Sequence, residues 1–333
     1  MQRRGCTLDI DFHFGTTYVL SRWSGFDSRR AKAIAASSQL VDENTLQMAE
    51  PYQGRPTGHA AWENVTNADH NNDVWIPFHF LPGLSGETAE ERLVCRKNSA
   101  VAQEMIHAVP QVTDQYGTLF QLGTTVHTYA DTWAHQEFSG LADSINLVTA
   151  LESVGIQLQL HKNSTVNEIV EDVVHSVTNL FARGTGALGH MSALHWPDMP
   201  FLEWKSKEKF PAGRKNWDEF MEASGEVFKV LSFQAGGTEK MLSAKQRGQL
   251  MESFREIHST DFNERNDEWV RRIQANQFGF ADFDEEDRHV VYDANYILHN
   301  PDFCRQFYQA VDQQYQWVRN RLDGEHLDIE WGE

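Results

Sequence analysis

Apolar positions recur at helical spacing along most of the chain, and the stretches between them carry the prolines. Residues 14 to 41 (FGTTYVLSRWSGFDSRRAKAIAASSQLV) predict two short helices joined by a turn near Gly25, the second ending near Asp42. From Glu43 to Gly86 the periodicity is lost. Pro51, Pro56, Pro77 and Pro82, with the polar NADHNND, predict a long irregular connection, and its apolar WIPFHFLPG predicts that the connection packs over something. Helical spacing resumes over 90 to 108 and 112 to 135, and again over 165 to 182, where Val166, Ile169, Val170, Val173 and Val174 share a face. A glycine-rich break and a second Pro-rich connection precede helices expected near 216 to 233, 239 to 258 and 302 to 322. There is no internal repeat and no alternating β pattern of any length. The expected fold is therefore all-α, a multi-helix bundle with long irregular loops, organised as a single domain over 1–333 with a core at 9–205 and C-terminal helices at 215–325 packed on it.

With 333 residues and 40% hydrophobic content, such a bundle can bury a substantial core. The formal charge of −19 leaves no general basic surface, so binding to a nucleic-acid duplex is not expected. Cys6, Cys95 and Cys304 are widely spaced, odd in number and without a CxxC, which predicts free thiols rather than a disulfide framework or a cysteine metal site. The opening MQRRGCTLDIDFHFG has no apolar run behind its arginines, and no segment approaches the ~18 apolar residues of a membrane span. No signal peptide and no transmembrane segment are expected, and the default location is cytoplasmic. Oligomeric state is not legible.

Candidate chemistry sits in VHTYADTWAHQEFSG, residues 126 to 140, where His127, Asp131 and His135 follow one another at intervals of four. On a helix each such step advances ~40° around the axis and ~6 Å along it, so three ligand-type side chains form one leaning stripe. A zinc ion needs nitrogen and oxygen at ~2.0 to 2.2 Å, whereas His127 and His135 stand roughly 12 Å apart along the axis. One ion cannot readily hold both. The stripe suits a multinuclear site with Asp131 as bridge, a recurrent device for hydrolysing phosphate esters.

Further donors lie where helical segments meet breaks: Asp9, Asp11 and His13 in LDIDFHFG, Asp42 in SSQLVDE, His59 and His79 on the long connection, and His190, His195 and Asp198 in GHMSALHWPDMP. Other readings of single residues are blander. One buried histidine is more often a hydrogen-bonded core residue than a ligand; His70 lies in a polar stretch and reads as solvated, and His107, His161, His175, His258, His289, His299 and His326 lack a partner motif. The acidic ADFDEEDRH at 281 to 289 lacks the glycine and terminal glutamate of an EF-hand loop and reads as a solvated face. Trp62, Trp75, Trp133, Trp196 and Trp204 flank the donors in sequence, which suits an apolar substrate pocket, though tryptophans also fill ordinary cores.

The order His13, Asp42, loop histidine, His127-xxx-Asp131, His135 and a later histidine with a carboxylate resembles the trinuclear-zinc superfamily of bacterial phospholipase C and fungal single-strand nucleases. More closely, DFHFGTTYVLSR, SSQLVDE, PFHFLP, HTYADTWAHQEFSG and GH with PDMP resemble an uncharacterised bacterial and fungal family over residues 9 to about 205. The first resemblance implies the zinc-dependent phospholipase C fold and two or three Zn²⁺. Asp42 and a loop histidine, His59 or His79, would complete one ion with His127 and Asp131; His135, His190 and Asp198 would hold a second; His13 and Asp131 would hold a third. The chain departs from that pattern in three places. The secreted phospholipase uses its processed N-terminal tryptophan as a ligand, and here only Asp9 or Asp11 could substitute. Position 194, where its carboxylate would fall, is Leu194, so Asp198 is preferred, with His195 in reserve. The step from Asp131 to His135 is four residues rather than six.

The expected function is a metal-dependent hydrolase acting on a small-molecule phosphoester or related ester through a metal-activated water, with Asp42 as general base and Asp131 orienting that water otherwise. A lyase, cyclase or dehydratase using the same ligands, and a non-catalytic metal-stabilised binding protein, are the alternatives. Zinc suits the His/Asp ligation, and iron or manganese would accept it.

Overall fold

The computed structural model describes residues 10–58, 68–154 and 187–332, apart from positions 114, 149, 194 and 328. The helix expected over 165 to 182, and with it Asp9, His59 and Trp62, lies outside the described residues.

The chain is mostly helical. A π-helical turn, Asp11–Thr16, runs directly into α1 (Thr17–Ser24), and α2 (Ser28–Glu43) follows a turn at Gly25, capped by Asp27, whose side chain accepts from Arg30 N. The wide turn is held by its own hydroxyls: Thr16 Oγ1 donates to the Asp11 carbonyl and Thr17 Oγ1 to that of Phe12. Both helices therefore stand where the sequence predicts them.

At the centre lies α7 (Tyr116–Ala134), whose residues from Val126 to Ala134 are all buried. A helix buried on every side must be surrounded. It packs against α2 most extensively, and also against α6 (Ala100–His107), α8 (Asn216–Gly236) and α13 (Pro301–Asp323). The approach to α2 is close because the residues at the crossing are small. A Cβ on Gly123 would sit 2.0 Å from Ser37 Oγ and 2.3 Å from the Ile34 carbonyl oxygen, so only glycine permits it. This contact sets the end of α2, with Asp42, beside the middle of α7.

Several expectations need correction. The connection from Glu43 to Gly86 is not irregular throughout: it contains α3 (Leu46–Ala49), a 3₁₀ turn at Glu50–Tyr52 and α4 (Ala68–Phe78). Burial of Val74, Trp75, Ile76 and Phe78 outweighs the breaker signals, and Pro77 falls in the last turn, where a helix is ending anyway. The helix expected over 90 to 108 is two, α5 (Ala89–Arg92) and α6, interrupted where Asn98 adopts φ 50°. Between α9 (Ala244–Glu256) and α13 the sequence reading missed α10 (Phe262–Gln274), whose polar composition hides a buried stripe of Arg265, Trp269, Val270 and Ile273. Short helices α11 (Glu285–Arg288) and α12 (Asn295–Leu298) follow it.

The fold is also not purely α. β1 (Ala142–Asp143) pairs antiparallel with β3 (Ala187–Leu188), and β4 (Glu203–Ser206) lies between β2 (Leu151–Ser153) and β5 (Arg214–Lys215), with Trp204 opposite both Ser153 and Arg214. Strands of two to four residues are too short for alternation to show in sequence. They cover a second apolar cluster containing Trp75, Phe80, Phe138, Trp196 and Trp204, separate from the main core.

The acidic 281–289 segment is not simply a solvated face. Asp287 is fully buried, accepting from Tyr18 Oη at 2.7 Å and from both Nε and Nη2 of Arg22 at 2.9 Å. Cys95 and Cys304 are free thiols, both buried. Among the described residues no helix is long and apolar enough to cross a membrane.

Candidate metal centre

Three elements meet at the middle of α7. The π-helical turn brings His13, the C-terminal turn of α2 brings Asp42, and the end of α4 brings His79, all onto His127 and Asp131. One turn further on, His135 caps α7 rather than continuing it, with its N–H bonded to the Asp131 carbonyl. There it meets His190 and Asp198, the latter on a 3₁₀ turn at Trp196–Asp198.

Asp131 is the hub. Its Oδ1 lies 3.1 Å from His13 Nε2, and its Oδ2 lies 3.2 Å from His79 Nδ1, 3.3 Å from His127 Nε2 and 3.6 Å from His135 Nδ1. Asp42 stands across from it, 3.5 Å from His127 Nε2 and 3.8 Å from both His13 Nε2 and His79 Nδ1. Asp198 joins the other two imidazoles, its two oxygens each 3.2 Å from His135 Nε2 and His190 Nε2. Donor atoms lie within 4.8 Å of one another in three groups: His13, Asp42 and His127; His79, His127 and Asp131; His135, His190 and Asp198. The first two share His127, so they form one continuous patch.

The imidazoles are oriented by backbone carbonyls. His127 Nδ1 lies 2.9 Å from the Ser38 carbonyl, His79 Nε2 lies 2.7 Å from that of Thr57, and His135 Nδ1 lies 2.7 Å from that of His79. A carbonyl accepts only, so these contacts assign the N–H to that ring nitrogen and leave a lone pair on the other. The ring of His135 is held further by Phe80, stacked on it at 4.4 Å between centroids.

Burial keeps His13, His79 and His127 neutral. It pushes His79 and His127 down to about 4 and lowers His13 as well. Burial would raise Asp131, but the imidazoles of His127, His135 and His13 around it hold it well below the ordinary carboxylate range. At neutral pH the unprotonated Nε2 of His127 and Nδ1 of His79 therefore face a carboxylate oxygen, and each other at 3.3 Å. Acceptor set against acceptor is repulsive unless a cation lies among them.

Three buried atoms, His13 Nε2, Asp131 Oδ1 and Asp198 Oδ2, make no hydrogen bond among the described residues. Five imidazoles and three carboxylates, with His79, His127 and His135 each backed by a carbonyl, are a donor set for a borderline divalent ion. The clusters could hold metal ions.

The structure thus brings together His13, Asp42, His79, His127 and Asp131, and separately His135, His190 and Asp198. His59, the alternative to His79, lies outside the described residues. Asp11 does not join the donors. Its oxygens accept from Arg265 Nε and Trp269 Nε1, each at 2.8 Å, and this buried ion pair anchors the turn that carries His13. His195 lies near Asp198 without entering a donor group, and burial pushes it down to about 4. His107, His258, His289, His299 and His326 are all exposed. Of the flanking tryptophans, Trp75, Trp133, Trp196 and Trp204 are buried in the two cores.

Sequence reasoning missed two supports. Arg214, buried, donates from Nη1 and Nη2 to the Ala134 and Trp133 carbonyls, closing the C-terminal end of α7 next to His135. Asn216 donates to the Trp196 and Met199 carbonyls and accepts from Trp204 Nε1, fixing the turn that presents Asp198. The only signal for either is RKN at the entrance of α8, which carries no motif.

The profile of one family of unknown function, DUF6765, matches residues 8–328. The chain belongs to the DUF6765 family. Membership agrees with the resemblance to an uncharacterised family read from the sequence, and the match spans every donor as well as α13. No curated protein and no solved structure matches the chain.

Proposed function

We propose that this protein is a metal-dependent hydrolase of a small phosphoester or related ester, holding two or three divalent ions, zinc foremost. The observation that carries the reading is the pair of carbonyl-locked imidazoles, His79 and His127, whose lone pairs converge on the Asp131 carboxylate from one side while His13 meets its other oxygen. Such an arrangement gives one carboxylate two sets of donors, as a bridging ligand requires. Ions bound at neighbouring sites supply Lewis acidity toward a phosphoryl or carbonyl oxygen and lower the pKa of water.

The chain's own residues divide the remaining work. Asp131 joins the donor sets, the imidazoles supply neutral ligands, and Asp42, at 8% exposure the most accessible carboxylate of the three, is placed to accept a proton as general base. The order of donors along the chain, with its resemblance to the phospholipase C and single-strand nuclease superfamily, supports a phosphoester as substrate.

Incubation of zinc-loaded protein with phosphodiesters, phosphomonoesters and carboxyl esters tests this. Turnover of at least one class is expected, abolished by chelation and by Asp42→Asn. A fully metal-loaded protein that hydrolyses none of them overturns the hydrolase. Deep burial favours a second reading, a metal-stabilised binding protein, because every donor is at most 8% exposed. That version expects chelation to unfold the chain and no ester to be turned over.

A further inference from the structure

The C-terminal third of the described chain contributes no donor, yet α13 reaches the metal centre from both sides of one ligand. On one side Tyr308 Oη donates to Asn44 Oδ1 at 2.9 Å. The Asn44 side-chain amide in turn donates to the Arg55 carbonyl at 2.8 Å and to Thr57 Oγ1 at 3.2 Å, while the Asn44 backbone carbonyl accepts from Thr57 N and Gly58 N, both at 2.9 Å. Thr57 Oγ1 closes the loop by donating to the Val41 carbonyl at 2.7 Å. Segment 55–58 is thereby clamped against the end of α2, so tightly that a Cβ on Gly58 would lie 2.3 Å from the Asp42 carbonyl oxygen. The result is the Thr57 carbonyl held 2.7 Å from His79 Nε2.

On the other side Gln314 Nε2 donates to Thr128 Oγ1 at 2.6 Å and to the Pro77 carbonyl at 3.1 Å, and Thr128 Oγ1 donates to the Phe78 carbonyl at 2.8 Å. This ties the last turn of α4 to α7 one residue away from His127. Asn44 is fully buried and Gln314 nearly so. Both act on His79: Asn44 on its ring through Thr57, Gln314 on its backbone through Pro77 and Thr128.

We propose that Asn44 and Gln314 are positioning residues through which helix α13 fixes the tautomer and orientation of His79. The proposal rests on the metal reading for its purpose, but not for its geometry. Partners that orient a metal-ligating imidazole are worth about 10- to 100-fold in metal affinity, so the loss of either residue is a measurable event.

The test uses the full chain, with the His79 signal assigned through His79→Gln. ¹⁵N NMR of the metal-free protein reads which ring nitrogen is protonated, and Co²⁺ titration reads affinity and the ligand-field spectrum. Wild type is expected to carry the proton on Nε2. Asn44→Ala and Gln314→Ala are expected to populate both tautomers and to weaken Co²⁺ by about tenfold or more, with an altered visible spectrum. Asn300→Ala, which removes the side-chain cap of α13 at Asp302 N and Phe303 N, controls for lost stability. It should lower the thermal midpoint and leave tautomer and Co²⁺ affinity unchanged.

A wild-type tautomer and wild-type Co²⁺ affinity in both Asn44→Ala and Gln314→Ala overturn the proposal, as does the same loss in Asn300→Ala. Should Asn44→Ala not fold, Tyr308→Phe removes one oxygen from the same chain of bonds, and an unchanged tautomer there counts against it equally. If wild type binds no Co²⁺ while the tautomer still depends on Asn44, the metal reading falls and the positioning stands.

Discussion

Asp131 and His13 meet at 3.1 Å through Oδ1 and Nε2, although neither atom makes a hydrogen bond among the described residues. The other oxygen of the same carboxylate is turned toward His79 and His127. Under the proposed function a carboxylate so divided bridges two ions. Asp131→Ala is therefore expected to bind at most one transition-metal ion where wild type binds more, read by elemental analysis of the dialysed protein. Full stoichiometry in the variant removes the bridge.

Acidification should weaken the metal-stripped protein in a defined window. His79 and His127 have folded values of about 4 against an ordinary 6.5, because burial disfavours their charged forms. Between pH 6.5 and about 4 the unfolded chain takes up protons at these two sites that the folded chain refuses, so their contribution is complete above 6.5 and falls as pH drops through the window; His195, also about 4, adds to the fall, and Asp11, raised to about 7 by burial, offsets part of it. His135 is shifted the other way: burial would lower it, but Asp131 and Asp198 raise it, so its contribution changes above 6.5 and does not compensate. Urea midpoints taken at intervals from pH 7 to 4.5 should decline steadily. A flat or rising midpoint contradicts the neutral, buried imidazoles.

Arg214 closes the end of the helix that carries the site. Burial brings it down to about 10, which leaves it charged at neutral pH, and its fork spans two carbonyls while its guanidinium lies 5.2 Å from the Phe210 ring centroid. Arg214→Met should cost about 2 to 4 kcal/mol, since the Trp133 and Ala134 carbonyls lose a charged donor in a buried place. Arg214→Lys should recover little of this, because a point charge cannot reproduce the fork. Denaturant unfolding of both variants checks the expectation, and a cost below ~0.5 kcal/mol for Arg214→Met, the scale of an ordinary surface change, would refute it.

Gly123→Ala drives a methyl into Ser37 and the Ile34 carbonyl. Overpacking of this kind costs about 1 to 3 kcal/mol, and here it also separates α2 from α7 and so Asp42 from His127. Stability and metal affinity should fall together. A stable variant with intact metal binding would show that the helix approach does not set the site.

The sequence made α1, α2 and α7 legible because their apolar periodicity is long, and it made the stripe on α7 legible because His127 and Asp131 are four apart on one face. His135 shows the limit of that reading: it belongs to the cap of α7, and the cap, not a continued helix, turns it toward Asp198. His79 and His59 could not be separated by spacing, since what distinguishes His79 is the end of α4, a helix whose polar first half and proline obscured it. The carbonyls of Ser38, Thr57 and His79, which orient three rings, were invisible in principle, because every residue offers the same carbonyl and only tertiary structure aims it. The short strands and α10 were hidden by length and by composition. Asp11, offered by sequence as a spare ligand, is instead committed to Arg265 and Trp269, partners more than 250 positions away.

Under the proposed function the buried histidines and aspartates around Asp131 hold metal. The most direct measurement is elemental analysis of the protein purified without added chelator, repeated after reconstitution with Zn²⁺. About two or three transition-metal ions per chain are expected, bound tightly enough to survive dialysis at neutral pH and released below about pH 5, where protons compete for the imidazoles. Less than one ion per chain in both preparations contradicts this expectation.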